Sequence, residues 1–91
     1  MRITFDPAKR DRAFEERGLA FEDAANVFQG ERKWEFEDAR FDYSEDRWVT
    51  VGFLLGRMVI VIWTPRGDAR HVISMRKANA REQTLYRERL G

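Results

Sequence analysis

Three consecutive segments decide the fold: Arg57-Met58-Val59-Ile60-Val61-Ile62-Trp63-Thr64, then Pro65-Arg66-Gly67-Asp68, then Ala69-Arg70-His71-Val72-Ile73-Ser74-Met75. The first is apolar at odd and even positions alike, as a strand covered on both faces must be, so it belongs in the middle of a sheet. Pro and Gly in the second segment reverse the chain, and Arg70 to Met75 returns as a further strand. Upstream, Arg47 to Leu55 reads as a strand, and Leu55-Gly56 is the hairpin turn into Arg57. Downstream, Asn79 with Glu82 three residues on is a capping box that opens a final helix.

Toward the N-terminus, Arg2 to Phe5 alternates as a short strand. Asp6-Pro7 then starts a helix, because Asp accepts from free first-turn amides and Pro at the first helical position loses no bond. Gly18 ends that helix after Arg17. Phe21, Ala24, Ala25 and Phe28 recur at helical spacing, and Gly30 stops this second helix. Lys33 to Phe36 reads as a strand, followed by an acidic connector from Glu37 to Asp46. The expected order is β-α-α-β-β-β-β-α: an α+β fold whose antiparallel twisted sheet carries two N-terminal helices and one C-terminal helix. Residues 1–91 are expected to form one domain.

The longest continuous apolar run, Met58 to Trp63, is strand-sized and far below the roughly 20 residues a membrane span needs. The start of the chain lacks the apolar segment of a signal peptide. The absence of cysteine removes thiolate chemistry and Cys-type zinc sites and fits a reducing cytoplasm, the expected location. Charge is uneven. Residues 1–65 carry 10 Lys/Arg against 13 Asp/Glu, a net of −3, whereas residues 66–91 carry 7 against 3, a net of +4. A basic final third on a nearly neutral chain points to one local anionic partner surface.

With one His and no Cys, metal ligation would fall to carboxylates. Glu35, Glu37 and Asp38, or Asp42, Glu45 and Asp46, have no His at ligand spacing, so no metal site and no cofactor are expected. Ser74 has only His71 nearby, and three-residue spacing on a regular strand puts the two on opposite faces. The one site-like constellation is the basic strand. Arginine supplies a fixed fork for phosphate oxygens, and His71 titrates near neutral pH. On a regular strand Arg70, Val72, Ser74 and Arg76 share one face, and His71, Ile73, Met75 and Lys77 the other. The turn at Arg66-Gly67, or a bulge, would be needed to bring Arg66 and Arg76 round to His71. Trp48 and Trp63 are candidates for stacking on a base, with core packing favoured for Trp63. The plain alternative is a sheet edge decorated with solvated charge.

The chain resembles the BrnT-type toxins of bacterial type II toxin–antitoxin pairs, a family with a RelE-like ribonuclease fold. The resemblance rests on Phe5-Asp6-Pro7-Ala8-Lys9, Gly18-Leu19-Ala20-Phe21-Glu22-Asp23-Ala24 and Tyr43-Ser44-Glu45-Asp46-Arg47-Trp48 leading into Val49-Thr50-Val51-Gly52. It continues through Gly56-Arg57, Pro65-Arg66-Gly67-Asp68 and Val72-Ile73-Ser74-Met75-Arg76-Lys77-Ala78-Asn79, then Arg81-Glu82. Two positions depart from the family pattern: Arg17 stands where histidine is frequent, and His71 where arginine is frequent, with Arg70 one residue earlier.

The resemblance implies a small metal-independent endoribonuclease that cleaves cellular RNA and arrests growth until an antitoxin silences it. The expected antitoxin is of the ribbon-helix-helix type, with two toxins on one antitoxin dimer and DNA contacted only through the antitoxin. The reaction would be attack of a ribose 2′-hydroxyl on the adjacent phosphorus, which needs cations on the developing charge and groups that move protons. Arg66 and Arg76 are the expected phosphate clamps, His71 the acid or base, and Glu45 a second candidate. Arg47, Trp48, Arg70 and Lys77 are expected to bind RNA. Truncating Arg76 is expected to change stability little. The alternative is a non-catalytic nucleic-acid or protein interaction module with a basic docking edge, on which an acidic antitoxin segment competes with RNA.

Overall fold

The computed structural model describes residues 1–39 and 44–90. Along the chain lie β1 (Arg2–Phe5), α1 (Pro7–Arg17), a 3₁₀ turn (Phe21–Asp23), α2 (Ala24–Gln29), β2 (Trp34–Glu37), β3 (Trp48–Leu54), β4 (Arg57–Arg66), β5 (Ala69–Lys77) and α3 (Ala80–Leu90). The expected order of elements is reproduced, with the second helix beginning as a 3₁₀ turn. The acidic connector includes Asp42 and Tyr43, which lie outside the described residues. No helix of the described residues is long and apolar enough to cross a membrane.

The strands form one sheet in the order β1-β5-β4-β3-β2. Its β4 is central, as the two-faced apolar run requires. The sheet is mixed, not wholly antiparallel: β1 lies parallel to β5, pairing Arg2 with Ala69 through Phe5 with Val72. No hairpin turn ties β1 to its neighbour, so its direction is set by long-range docking, which alternation within four residues does not encode. Beyond Val72 the outer edge of β5 passes under α1, where Arg17 Nη1 donates to the Met75 carbonyl at 3.0 Å. That bond caps part of an exposed strand edge.

Two apolar layers sandwich the sheet. On one side α1, the 3₁₀ turn and α2 cover Val59, Val61, Trp63, Val72 and Met75 through Ala13, Phe21, Val27 and Phe28. On the other, α3 covers Val49, Val51, Met58 and Ile60 through Leu90 and Tyr86. Gly52 lets α2 seat on β3, because a Cβ there would stand 2.8 Å from Val27 Cγ1. At the β4–β5 turn Gly67 has φ +59°, the left-handed first position of a two-residue hairpin connection. Trp63 is buried, as expected. Its Nε1 donates to Thr50 Oγ1 at 2.8 Å, and Thr50 donates in turn to Glu35 Oε2 at 2.6 Å.

The feature that shapes the site is a bulge in β5. Trp63 faces Val72 and Ile62 faces Ser74, which leaves Ile73 as an extra residue. Alternation is thereby reset by one position. Val72 and Met75 both enter the helix-covered core, although they are three residues apart. The expected division of faces is corrected accordingly: His71, Ser74 and Arg76 share the α3 side of the sheet with Thr64, Ile62 and Ile60.

Candidate active site

The parallel docking of β1 sets Thr4 beside His71, and Thr4 Oγ1 lies 2.9 Å from His71 Nδ1. That contact fixes the ring and leaves Nε2 without a partner among the described residues. Arg66 ends β4 just before the Gly67 turn, whereas Glu45 and Arg47 come from the segment entering β3. The helix start contributes Asp6 and Lys9. Asp6 Oδ1 accepts from the Ala8 amide at 2.9 Å, which orients the first turn of α1 toward the cleft. Together Asp6, Lys9, Glu45, Arg47, Arg66 and His71 line a cleft of about 420 Å³ floored by Val72 and Ile73.

Electrostatics favour the neutral imidazole. Burial pushes His71 below its ordinary 6.5, the charges of Arg66 and Lys9 push the same way, and Glu45 and Asp6 oppose them. The neutral ring is therefore favoured at physiological pH, and in the tautomer that carries its proton on Nδ1 that N–H goes to Thr4 Oγ1 and Nε2 is the acceptor. Arg66 Nη2 stands 3.5 Å from Glu45 Oε2, and both side chains are solvent-accessible, so an incoming phosphate can take over the guanidinium. A second groove shares Lys9 and Ile73 with this cleft. It runs between α1 and β5, lined by Arg12, Arg17, Glu16 and Ser74.

Arg66, His71, Glu45 and Arg47 thus come together, and the other expected site residues do not join them. Arg76 projects from the same face of the sheet but lines another cleft, where it makes a two-armed pair with Glu82, both bonds 2.7 Å. Arg70 points to the opposite face. Its guanidinium lies 4.5 Å from the Phe28 ring and 4.1 Å from that of Trp63, and Nη1 meets Glu35 at 2.7 Å. Burial raises the Glu35 carboxyl, but hydrogen bonds from Thr50 and Arg70 and the charges of Arg70 and Lys33 outweigh it, so its pKa is lowered. Trp48 stacks on Trp63 with ring centroids 6.2 Å apart, which occupies one of its faces. Lys77 lies at the far end of β5 beside a third cleft. Reading the basic strand alone missed Thr4, Asp6 and Lys9. The signal for Asp6 and Lys9 was the helix start Phe5-Asp6-Pro7-Ala8-Lys9, and Thr4 lies in β1 just before it; only the pairing of β1 with β5 carries all three to His71.

Among the described residues no three His, Cys, Asp or Glu side chains gather as metal ligands. A small α+β domain that surrounds one neutral imidazole with Lys9, Arg47 and Arg66 has the equipment of a protein that handles phosphodiesters. Residues 5–82 match the model of the BrnT family, ribonuclease toxins of type II toxin–antitoxin systems, and the chain belongs to that family. It is therefore a ribonuclease toxin by family, and the family implies a protein antitoxin as partner. Among curated proteins nothing matches the chain.

Proposed function

We propose that the His71 cleft is the active centre of a metal-independent endoribonuclease on a RelE-like fold. His71 Nε2 takes the proton of a ribose 2′-hydroxyl, and the freed oxygen attacks the adjacent phosphorus. The bond to the 5′ oxygen breaks, leaving a cyclic phosphate and a 5′-hydroxyl whose proton comes from the solvent-open side of the cleft. Arg66, Lys9 and Arg47 stabilise the charge that accumulates on the phosphorane. Thr4 acts through His71, as the residue that positions the ring. RNA flanking the scissile bond follows the groove of Arg12 and Arg17. Arg76 is left outside this assignment because Glu82 holds its fork.

The observation that carries the reading is the convergence of one neutral imidazole and three cations in a chain of a ribonuclease-toxin family. Unopposed, such an activity arrests growth. A ribbon-helix-helix antitoxin dimer carrying two toxins is the partner we assign, with DNA reached only through that dimer. The test is cleavage of a defined RNA by purified protein in the presence of chelator. Arg66→Ala should lose about 30- to 1000-fold in rate, the loss of one charge-assisted contact in the transition state. RNA that binds but is never cut would make the cleft a docking surface.

A further inference from the structure

The hairpin end of the sheet holds a second concentration of cations. Arg32, Arg57, Lys77 and Arg87 surround a cleft of about 380 Å³ whose floor includes Phe53. Arg32 is held in place: its guanidinium lies 4.4 Å from the Phe53 ring centroid, and Nε donates to the Leu90 carbonyl at 3.4 Å. Among the described residues no carboxylate lines this cleft. Among the described residues none of the four cations makes an ion pair, whereas Arg10, Arg66, Arg70 and Arg76 each have a carboxylate. Four like charges around one opening repel, and an anion placed among them removes that cost.

The adjoining turn supplies an apolar counterpart. Leu55 is 98% exposed and sits at φ 51°, the only non-glycine residue with positive φ among those described. Asn, Asp or Gly is relaxed at that position of a two-residue hairpin turn, and a branched apolar residue is not. Leucine there gains nothing from the core and stands fully open to a partner beside the cationic cleft.

An RNA strand does not suit this end of the molecule. Arg57 and Arg66 stand at opposite ends of β4, nine residues apart, which is about 30 Å of strand. The cleft between them is lined by Glu37 and by the Arg76–Glu82 pair, in which Glu82 already occupies the guanidinium fork that a phosphate would need. The cationic track leading from His71 follows α1 instead. We infer that the cleft of Arg32, Arg57, Lys77 and Arg87 docks an acidic protein segment, with an apolar side chain of that segment seated on Leu55, and that this segment belongs to the antitoxin. The partner's identity rests on the family; the chemistry of the docking site does not depend on how the His71 cleft works.

The experiment measures calorimetric Kd for the separately purified antitoxin, beside the Kd of a fluorescent dodecamer RNA. It compares wild type, Arg57→Glu/Arg87→Glu and Leu55→Asn. Charge reversal should weaken antitoxin binding about 30-fold or more and flatten its salt dependence between about 0.1 and 0.5 M. Leu55→Asn should weaken it about 5- to 10-fold while leaving the melting temperature equal or higher, since asparagine relaxes the turn. RNA affinity should stay within twofold in both variants. Antitoxin affinity within twofold of wild type in both variants overturns the inference. Loss of RNA binding with antitoxin binding intact overturns it too, and assigns the cleft to RNA. If wild-type protein cut no RNA, the endoribonuclease reading would fail while the antitoxin affinities still decided this one.

Discussion

Truncating Arg76 should destabilise the protein, against the expectation from the sequence that this truncation changes stability little. The hydrogen bonds from Arg76, with its charge and the Asn79 backbone N–H, overcome burial and hold the Glu82 carboxyl down to about 2. The gap from the ordinary 4.5 sets a ceiling of about 3 kcal/mol. Part of it is the cap from Asn79, which survives loss of Arg76, and Arg76 is 40% exposed and screened by solvent. About 1–2 kcal/mol remains for the pair. A folded-state pKa below the unfolded one stabilises above about pH 4.5 and loses that effect as pH falls toward 2. The assay is a double-mutant cycle in urea with Arg76→Ala, Glu82→Gln and the double variant, since glutamine preserves the capping box. The coupling energy should be about 1–2 kcal/mol at pH 7 and less than half of that near pH 3. Amide exchange in α3 should quicken in Arg76→Ala, because the pair ties the first turn of α3 to β5. A coupling below about 0.3 kcal/mol at pH 7, or one that ignores pH, would refute the reasoning.

Trp63→Ala should cost about 3–5 kcal/mol in urea melts, because it empties a core position and removes the hydrogen bond that Thr50 Oγ1 accepts from Trp63 Nε1. Gly52→Ala should cost about 1–3 kcal/mol, since the new methyl meets Val27 Cγ1 at 2.8 Å; an unchanged melt would mean that α2 gives way freely. RNA cleavage should rise with pH through a midpoint below 6.5 as His71 loses its proton, and His71→Ala should flatten that limb. The same depressed pKa makes His71 stabilising above 6.5 and progressively less so as pH falls below it, which acid melts of wild type and His71→Ala can compare.

Local chemistry was legible wherever neighbours in sequence are neighbours in space. The Asp6-Pro7 start, the Leu55-Gly56 hairpin and the Asn79–Glu82 box all form as their residues demand. The central place of β4 followed from its two apolar faces. Long-range choices were not legible in the same way. Nothing in Arg2-Ile3-Thr4-Phe5 states that it joins β5 in parallel, yet that pairing delivers Thr4, Asp6 and Lys9 to His71. Arg70 reads as a surface cation by type, but its long stem reaches two rings and a half-buried carboxylate, a fate decided by Phe28 and Glu35 from other elements.

The bulge at Ile73 is the instructive case, because strict alternation fails there by a single residue. Without the extra residue Met75 would turn out of the α1/α2 core, and Ser74 and Arg76 would turn into it. The chain signals the reset, since Val72 and Met75 are apolar three residues apart while Ser74 and Arg76 alternate in phase with Met75 alone. Burial of both Val72 and Met75 is worth more than the unpaired backbone at Ile73 costs, so the strand bends. The bend carries Arg76 to the α3 side, within reach of Glu82, and leaves His71 on that same side at the other end of the strand. One inserted residue therefore puts His71 and Arg76 on one face of the sheet but at opposite ends of the strand, with His71 in the cleft of Arg66, and Arg76 against the first turn of α3.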